Sequence, residues 1–248
     1  MRIAVIDRYP YLMKIILAFA ALLAAACAPL APPPVITALP PVQALPADAP
    51  FREEIVKFAE QDRETPPPAC AVLFVGSSSI RLWTSLAQDM APLPVINRGF
   101  GGSKISEVNS YFDRIVTPYR PRAIVFYAGE NNIDANEAPA AVAEQFRQFL
   151  EIKRQRLGKT PVFYISAKPS KLRFNQLARQ TELNKAVKAM AAEDLIYIDV
   201  VGPMLSNGQP RDIYVEDGLH MSPAGYAIWR GLVRDALHRR GIDRTHCR

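Results

Sequence analysis

From Ala71 onward the chain alternates short β-rich apolar runs with longer stretches of helical periodicity, five times over. The runs are AVLFVG, PVIN, AIVFYAG, PVFYIS and IYIDV, and the helical stretches that follow them cover residues 80–89, 104–116, 138–157, 174–192 and 223–239. Parallel strands need a crossover of a dozen or more residues, so strand-then-helix repetition predicts an α/β fold with a five-stranded parallel sheet. The first, third and fourth runs are almost continuously apolar, as strands buried on both faces are. An amphipathic stretch, FREEIVKFAEQD, precedes the first run, and no internal repeat is visible. With 248 residues, 49% of them hydrophobic, the chain has enough apolar material for one sizeable core.

The N-terminal part reads differently. Residues 15–26 (IILAFAALLAAA) form an apolar block behind Lys14, suited to the core of an export signal and short of the ~20 residues that cross a bilayer. Residues 1–26 are read as a signal peptide, and Met13 is an alternative start. The block ends in Leu23-Ala24-Ala25-Ala26-Cys27, which resembles a bacterial lipoprotein processing site with Cys27 as the lipidated residue; cleavage after an A-x-A stretch, releasing a soluble protein, stays open. Residues 27–50 carry prolines throughout without periodicity and read as an extended tether, leaving 51–248 as the folded domain. Losing Arg2, Arg8 and Lys14 along with Asp7 takes the formal charge from +6 to +4. The basic residues crowd the end of the chain (Arg230, Arg234, Arg239, Arg240, Arg244, Arg248) without interleaved aromatics. That pattern suits a solvated helix face, or attraction to an anionic membrane surface, and not a nucleic-acid groove.

In open parallel sheets ligands bind beyond the carboxyl ends of the strands. Four candidate blocks fall there. The first run ends in Gly76-Ser77-Ser78-Ser79, which puts a serine at a helix N-terminus, where free N–H groups favour developing negative charge. Helix capping alone would also explain it. The second run leads into Asn97-Arg98-Gly99-Phe100-Gly101-Gly102-Ser103, whose glycines let backbone N–H groups approach a ligand; without a terminal lysine this is no phosphate loop. After the third run, Gly129-Glu130-Asn131-Asn132 offers a side-chain amide. Near the C-terminus, Asp217-Gly218-Leu219-His220 precedes a helix start at Ser222-Pro223. Of three histidines, His238 and His246 lie in the basic tail, so His220 is the candidate base, and Asp217 can orient its ring.

With these blocks in order, residues 51–240 resemble the SGNH hydrolase superfamily, also called GDSL esterases and lipases, through Ser78, Gly102, Asn131 and His220. The resemblance implies a flavodoxin-like three-layer α/β/α sandwich and an ester hydrolase; the signal-like N-terminus places it in the bacterial envelope, and compact loops with little obvious lid point to small or short-acyl esters, with O-acetyl groups of envelope glycans among them. It implies Ser78 as nucleophile, His220 as general base and then acid, and Asp217 as the orienting carboxylate. The backbone N–H groups of Ser78 and Gly102 and the amide of Asn131 would form the oxyanion hole, with neither cofactor nor metal. Ser77 and Asn132 replace the family's usual aspartates, which puts neighbouring hydrogen bonds in doubt rather than these roles. Ser77 and Ser79 remain rivals of Ser78, which the alignment of Gly76 with the family glycine favours. An acyltransferase with the same triad, or an envelope binding lipoprotein that lost activity, stays open. The partners expected are a small-molecule or glycan ester and, through a lipid on Cys27 alone, the membrane; the location expected is the periplasmic side of the envelope. On this fold Cys70 and the end of the last helix share the amino edge of the sheet, so a Cys70–Cys247 disulfide is expected. Arg98, Phe100, Trp83 and residues 168–174 are expected to line the acyl and alcohol pockets.

Overall fold

In the computed structural model, which describes residues 45–190 and 193–244, the chain begins its sheet in the middle. Strands β1 (Val72–Gly76), β2 (Val95–Gly99), β3 (Ala123–Tyr127), β4 (Val162–Ile165) and β5 (Leu195–Ile198) form one sheet in the order β2-β1-β3-β4-β5. Every pair is parallel. The chain steps from β1 outward to β2 and then returns across β1 to β3, so its direction reverses once. Right-handed crossovers must then change face at that reversal.

They do. Helices α1 (Arg52–Glu64), α4 (Ile105–Ser110), α5 (Phe112–Ile115), α6 (Glu130–Asp134), α7 (Pro139–Leu157) and α8 (Leu177–Lys188) pack on one face, where Leu73, Val75, Ile124, Phe126, Val162 and Tyr164 point. Helices α2 (Ser78–Arg81), α3 (Leu86–Met90) and α9 (Pro223–Arg239) cover the other, over Val72, Phe74, Val125, Tyr127 and Phe163. The period-two alternation of each strand thus feeds two separate cores. As their continuous apolarity predicts, β1, β3 and β4 are buried along their whole length.

Several boundaries differ from expectation. The 80–89 stretch breaks into α2 and α3 because Trp83 turns into the second core. There it meets Phe74, Tyr226 and Trp229 at centroid distances of 5.7, 5.4 and 5.9 Å, and its Nε1 donates to Asp89 at 2.7 Å. β2 runs two residues beyond PVIN, which turns Arg98 inward rather than toward a ligand. Its guanidinium lies against the rings of Phe58 and Tyr119, donates to the Tyr119 hydroxyl at 2.7 Å and pairs with buried Asp62. Phe100 is likewise fully buried. Arg98 and Phe100 therefore belong to the packing, whereas Trp83, buried in the second core, also lines a cavity between α1 and the α2–α3 segment.

The folded part also starts before Phe51: Leu45 packs on the first core, and the Tyr111 hydroxyl donates to the Pro50 carbonyl. A hairpin, β6 (Leu205–Ser206) with β7 (Gln209–Pro210), turns at Asn207-Gly208, whose φ values of 49° and 73° suit a tight hairpin turn. Cys70 is disulfide-bonded; Cys247 and Cys27 lie outside the described residues. Arg122 joins the Cys70 carbonyl (2.6 Å) to the Ile242 carbonyl (2.9 Å), bringing the end of the chain to the start of β1.

Breaking a buried ion pair by deleting one partner leaves an uncompensated charge, at a cost of about 3–5 kcal/mol. Arg98→Met should lower urea-unfolding stability by about that amount, and Asp62→Leu added to it should recover much of the loss. A single-variant loss below about 1 kcal/mol would show that the pair contributes little.

Candidate active site

β1 ends at Gly76, with φ 137°, where a Cβ would lie 1.9 Å from the carbonyl oxygen of Tyr127. Only glycine lets β1 leave the sheet this close to β3. Ser77 follows in extended conformation, donating its N–H to that same Tyr127 carbonyl at 2.9 Å, and Ser78 opens α2. Ser77 and Ser79 are each 3% exposed, whereas Ser78 is partly open. The Ser78 Oγ lies 2.9 Å from His220 Nε2.

His220 sits in a tight loop closed by the Tyr214–Met221 bridge and by the Val215 N–H on the His220 carbonyl at 2.9 Å. Asp217 folds back within this loop. Its Oδ1 accepts the N–H groups of Leu219 (2.8 Å) and His220 (2.9 Å), while Oδ2 lies 2.5 Å from His220 Nδ1. Partial burial pushes the Asp217 carboxyl upward, but the His220 ring, these two N–H groups and the histidine charge outweigh it and hold the pKa at about 2. The histidine therefore has one nitrogen on a carboxylate and the other on a hydroxyl, as proton transfer from a serine requires.

The other two blocks converge on the same edge. Gly102 is exposed with φ 77°. Among the described residues, neither its N–H nor that of Ser78 has a protein acceptor. Asn131 accepts from Arg173 Nη1 at its Oδ1 (3.0 Å) and donates from Nδ2 to the Ser103 carbonyl (3.0 Å), so its amide orientation is set and one Nδ2–H is left over. Asn132 instead braces the loop: its Oδ1 accepts the Ile105 N–H at 3.1 Å, capping α4, and its Nδ2 donates to Glu137 and Gln145, both at 2.9 Å. A neutral amide meets these demands, which explains an asparagine where the family usually has aspartate. Among the described residues, no group of three or more His, Cys, Asp or Glu is placed to hold a metal ion.

Segment 168–174 cradles the histidine loop. The Leu172 N–H donates to the Gly218 carbonyl at 3.0 Å, Tyr214 donates its hydroxyl to the Pro169 carbonyl, and Lys171 pairs with Asp212 at 2.7 Å. Lys168, fully buried, pairs with buried Glu130 at 3.1 Å. The sequence signal was available, since Lys168 and Glu130 both follow strand ends, but nothing in the neighbouring residues pairs the two. A cavity of about 430 Å³ lies between α1 and the α2–α3 segment, over Val95, Asn97 and Gly99 of the edge strand, and reaches Arg81, one helical turn past Ser78.

A five-stranded parallel sheet of this order with helices on both faces is a flavodoxin-like α/β/α fold, and Ser78, His220 and Asp217 meet at its carboxyl edge. The sequence profile of the GDSL-like lipase/acylhydrolase family matches residues 74–228, and the chain belongs to that family, whose chemistry is carboxylic ester hydrolysis. No functionally curated protein matches it in sequence. Among solved structures, it is similar to a GDSL-like lipase from Bacteroides thetaiotaomicron (19% identity, 75% of this chain and 98% of that one, TM-score 0.66). It is also similar to a lipase/acylhydrolase from Enterococcus faecalis (22%, 68% and 96%, 0.55). A third likeness is to a carbohydrate esterase of family 3 from Talaromyces cellulolyticus (14%, 71% and 99%, 0.57). At these identities the likeness is one of fold.

Because Asp217 holds its proton less tightly folded than unfolded, its contribution to stability is present above pH ~4 and is lost as pH falls through about 2. Carboxyl-carbon NMR should place its midpoint near 2, and His220→Ala should move it back toward the ordinary 3.8. A midpoint unmoved by that substitution would show that the imidazole does not hold the carboxylate.

Proposed function

We propose that this ester hydrolase works through Ser78, His220 and Asp217 on small or short-acyl esters, with O-acetyl groups of envelope glycans as the substrate class. The observation that carries the reading is the 2.9 Å approach of His220 Nε2 to the Ser78 hydroxyl while Nδ1 rests on Asp217. Ser78 Oγ attacks the ester carbonyl as its proton passes to His220 Nε2. The oxyanion is met by the N–H groups of Ser78 and Gly102 and the free Nδ2–H of Asn131. The ester C–O bond then breaks and His220 returns the proton to the leaving alcohol. Water, deprotonated by His220, next attacks the acyl-serine, releasing the acid and restoring the serine hydroxyl.

A short acyl group suits the surroundings of Ser78. The large apolar side chains nearest in sequence to the nucleophile and the glycine loop, Trp83 and Phe100, are 1% and 0% exposed and offer a long acyl chain little surface. The glycan part of the proposal draws support from the carbohydrate esterase among the similar folds. Its location rests on the signal-like block at residues 15–26 and on Cys27, which lie outside the described residues.

Purified protein should hydrolyse p-nitrophenyl esters fastest at C2 to C4, with turnover gone in Ser78→Ala and kcat lowered about 10²–10³-fold in Asn131→Ala. Residual turnover by Ser78→Ala at wild-type rate would remove the nucleophile, and a rate rising toward C12 would remove the short-acyl preference. Failure at every length by folded protein would favour acyl transfer or ester binding. Mass spectrometry of the mature N-terminus should find a diacylglyceryl group on Cys27; an unmodified Cys27 N-terminus would point to a released, soluble form.

A further inference from the structure

The peptide unit that joins Leu219 to His220 is held from both sides. Its N–H, from His220, donates to Asp217 Oδ1 at 2.9 Å. Its carbonyl, from Leu219, accepts from Lys168 Nζ at 2.9 Å. A peptide plane bonded at both ends cannot swivel, and its orientation sets where the next side chain, the His220 imidazole, points. A cation on the carbonyl also polarises the peptide and strengthens the N–H bond to Asp217, as chained hydrogen bonds do.

Lys168 is itself fully buried, 0% exposed, which is tolerable only because an anion meets it. That anion is Glu130, 4% exposed, whose Oε2 accepts from Lys168 at 3.1 Å and from the Tyr127 hydroxyl. The other oxygen, Oε1, is buried without a hydrogen bond and lies 3.6 Å from Arg173 Nη1. The same Nη1 donates to Asn131 Oδ1, the bond that turns the Nδ2 edge of that amide outward. One buried carboxylate therefore sits between two cations, one of which holds the histidine loop and the other the amide proposed to meet the oxyanion.

We infer that Glu130 and Lys168 are positioning residues: the pair aims His220 through the Leu219–His220 peptide and, by way of Arg173, keeps Asn131 in register with it. This rests on the Ser78–His220–Asp217 reading and deepens it. A buried ion pair contributes little net stability compared with a neutral pair of the same shape, so a role in geometry explains its presence here.

The test compares Lys168→Met, Glu130→Gln and the double variant with wild type by kcat, KM and melting temperature. The His220 Nδ1–H resonance, recorded without substrate, provides a readout independent of turnover. Lys168→Met should lose about 100-fold in kcat with KM within about twofold, the size of effect a misplacement of about 1 Å produces. The double variant, free of buried charge, should recover most of the melting temperature yet keep the kcat loss and an altered Nδ1–H resonance, because Leu219 still lacks its donor. Should Lys168→Met alone fail to fold, the double variant carries the test. A double variant with kcat within about twofold of wild type and an unchanged resonance would overturn the inference while leaving the triad intact. Turnover that survives in Ser78→Ala would instead overturn the reading on which it rests.

Discussion

Gly76 is the junction from which the rest of the site hangs. Its missing side chain lets the Tyr127 carbonyl of β3 come within what would be 1.9 Å of a Cβ, so β1 and β3 stay in contact to their last residues. Its own carbonyl accepts the Phe100 N–H at 2.9 Å and the Ser103 hydroxyl at 3.2 Å, holding the glycine-rich loop after β2. Ser103 in turn accepts from Asn131 through its carbonyl. One residue without a side chain thus joins the ends of three strands, and any larger residue would drive them apart. The serine block, the glycine loop and the asparagine block meet because their strands are locked at this point.

The histidine arrives by another route. Its loop lies more than a hundred residues further along the chain and is brought in by α9, whose Tyr226 donates to the Ser79 carbonyl at 3.0 Å and stacks on Trp83. The loop is stiffened from inside by Asp217 and from outside by the segment after β4. Both supports are hydrogen bonds to backbone, which fix geometry whatever surface side chains such as Glu216 do. The result is a serine at the sheet edge and a histidine on a braced loop, each positioned by its own set of contacts. The low pKa of Asp217 follows from the same folding-back, since the N–H groups that shape the loop also stabilise its anion.

Polar groups buried near the sheet divide into two kinds. Arg98, Asp62 and Tyr119 form a set that joins β2 to α1 and to the turn before β3. Glu130, Lys168 and Arg173 reach the catalytic loop and the Asn131 amide. Burial and charge alone do not separate the two sets. What separates them is which backbone or side chain their remaining donors hold.

Much of this was legible in the residues. The alternation of apolar runs and helical stretches determined the parallel sheet, and the continuous apolarity of AVLFVG, AIVFYAG and PVFYIS marked its central strands. The rule that ligands meet strand ends picked out Ser78, Gly102, Asn131 and His220, and Asp217 followed because it shares a loop with the histidine. Local sequence carries these features because strand burial, helix periodicity and tight turns depend on neighbours along the chain. What it left open was settled by side chains meeting across the fold. Arg98, Phe100 and Trp83 lie beside candidate blocks, yet the length of β2 and the volume of the two cores draw them inward. The choice among three consecutive serines, the side of Asn131 that faces outward and the link from Lys168 to Leu219 depend on contacts between segments 28 to 142 residues apart, and only the tertiary structure brings such partners together.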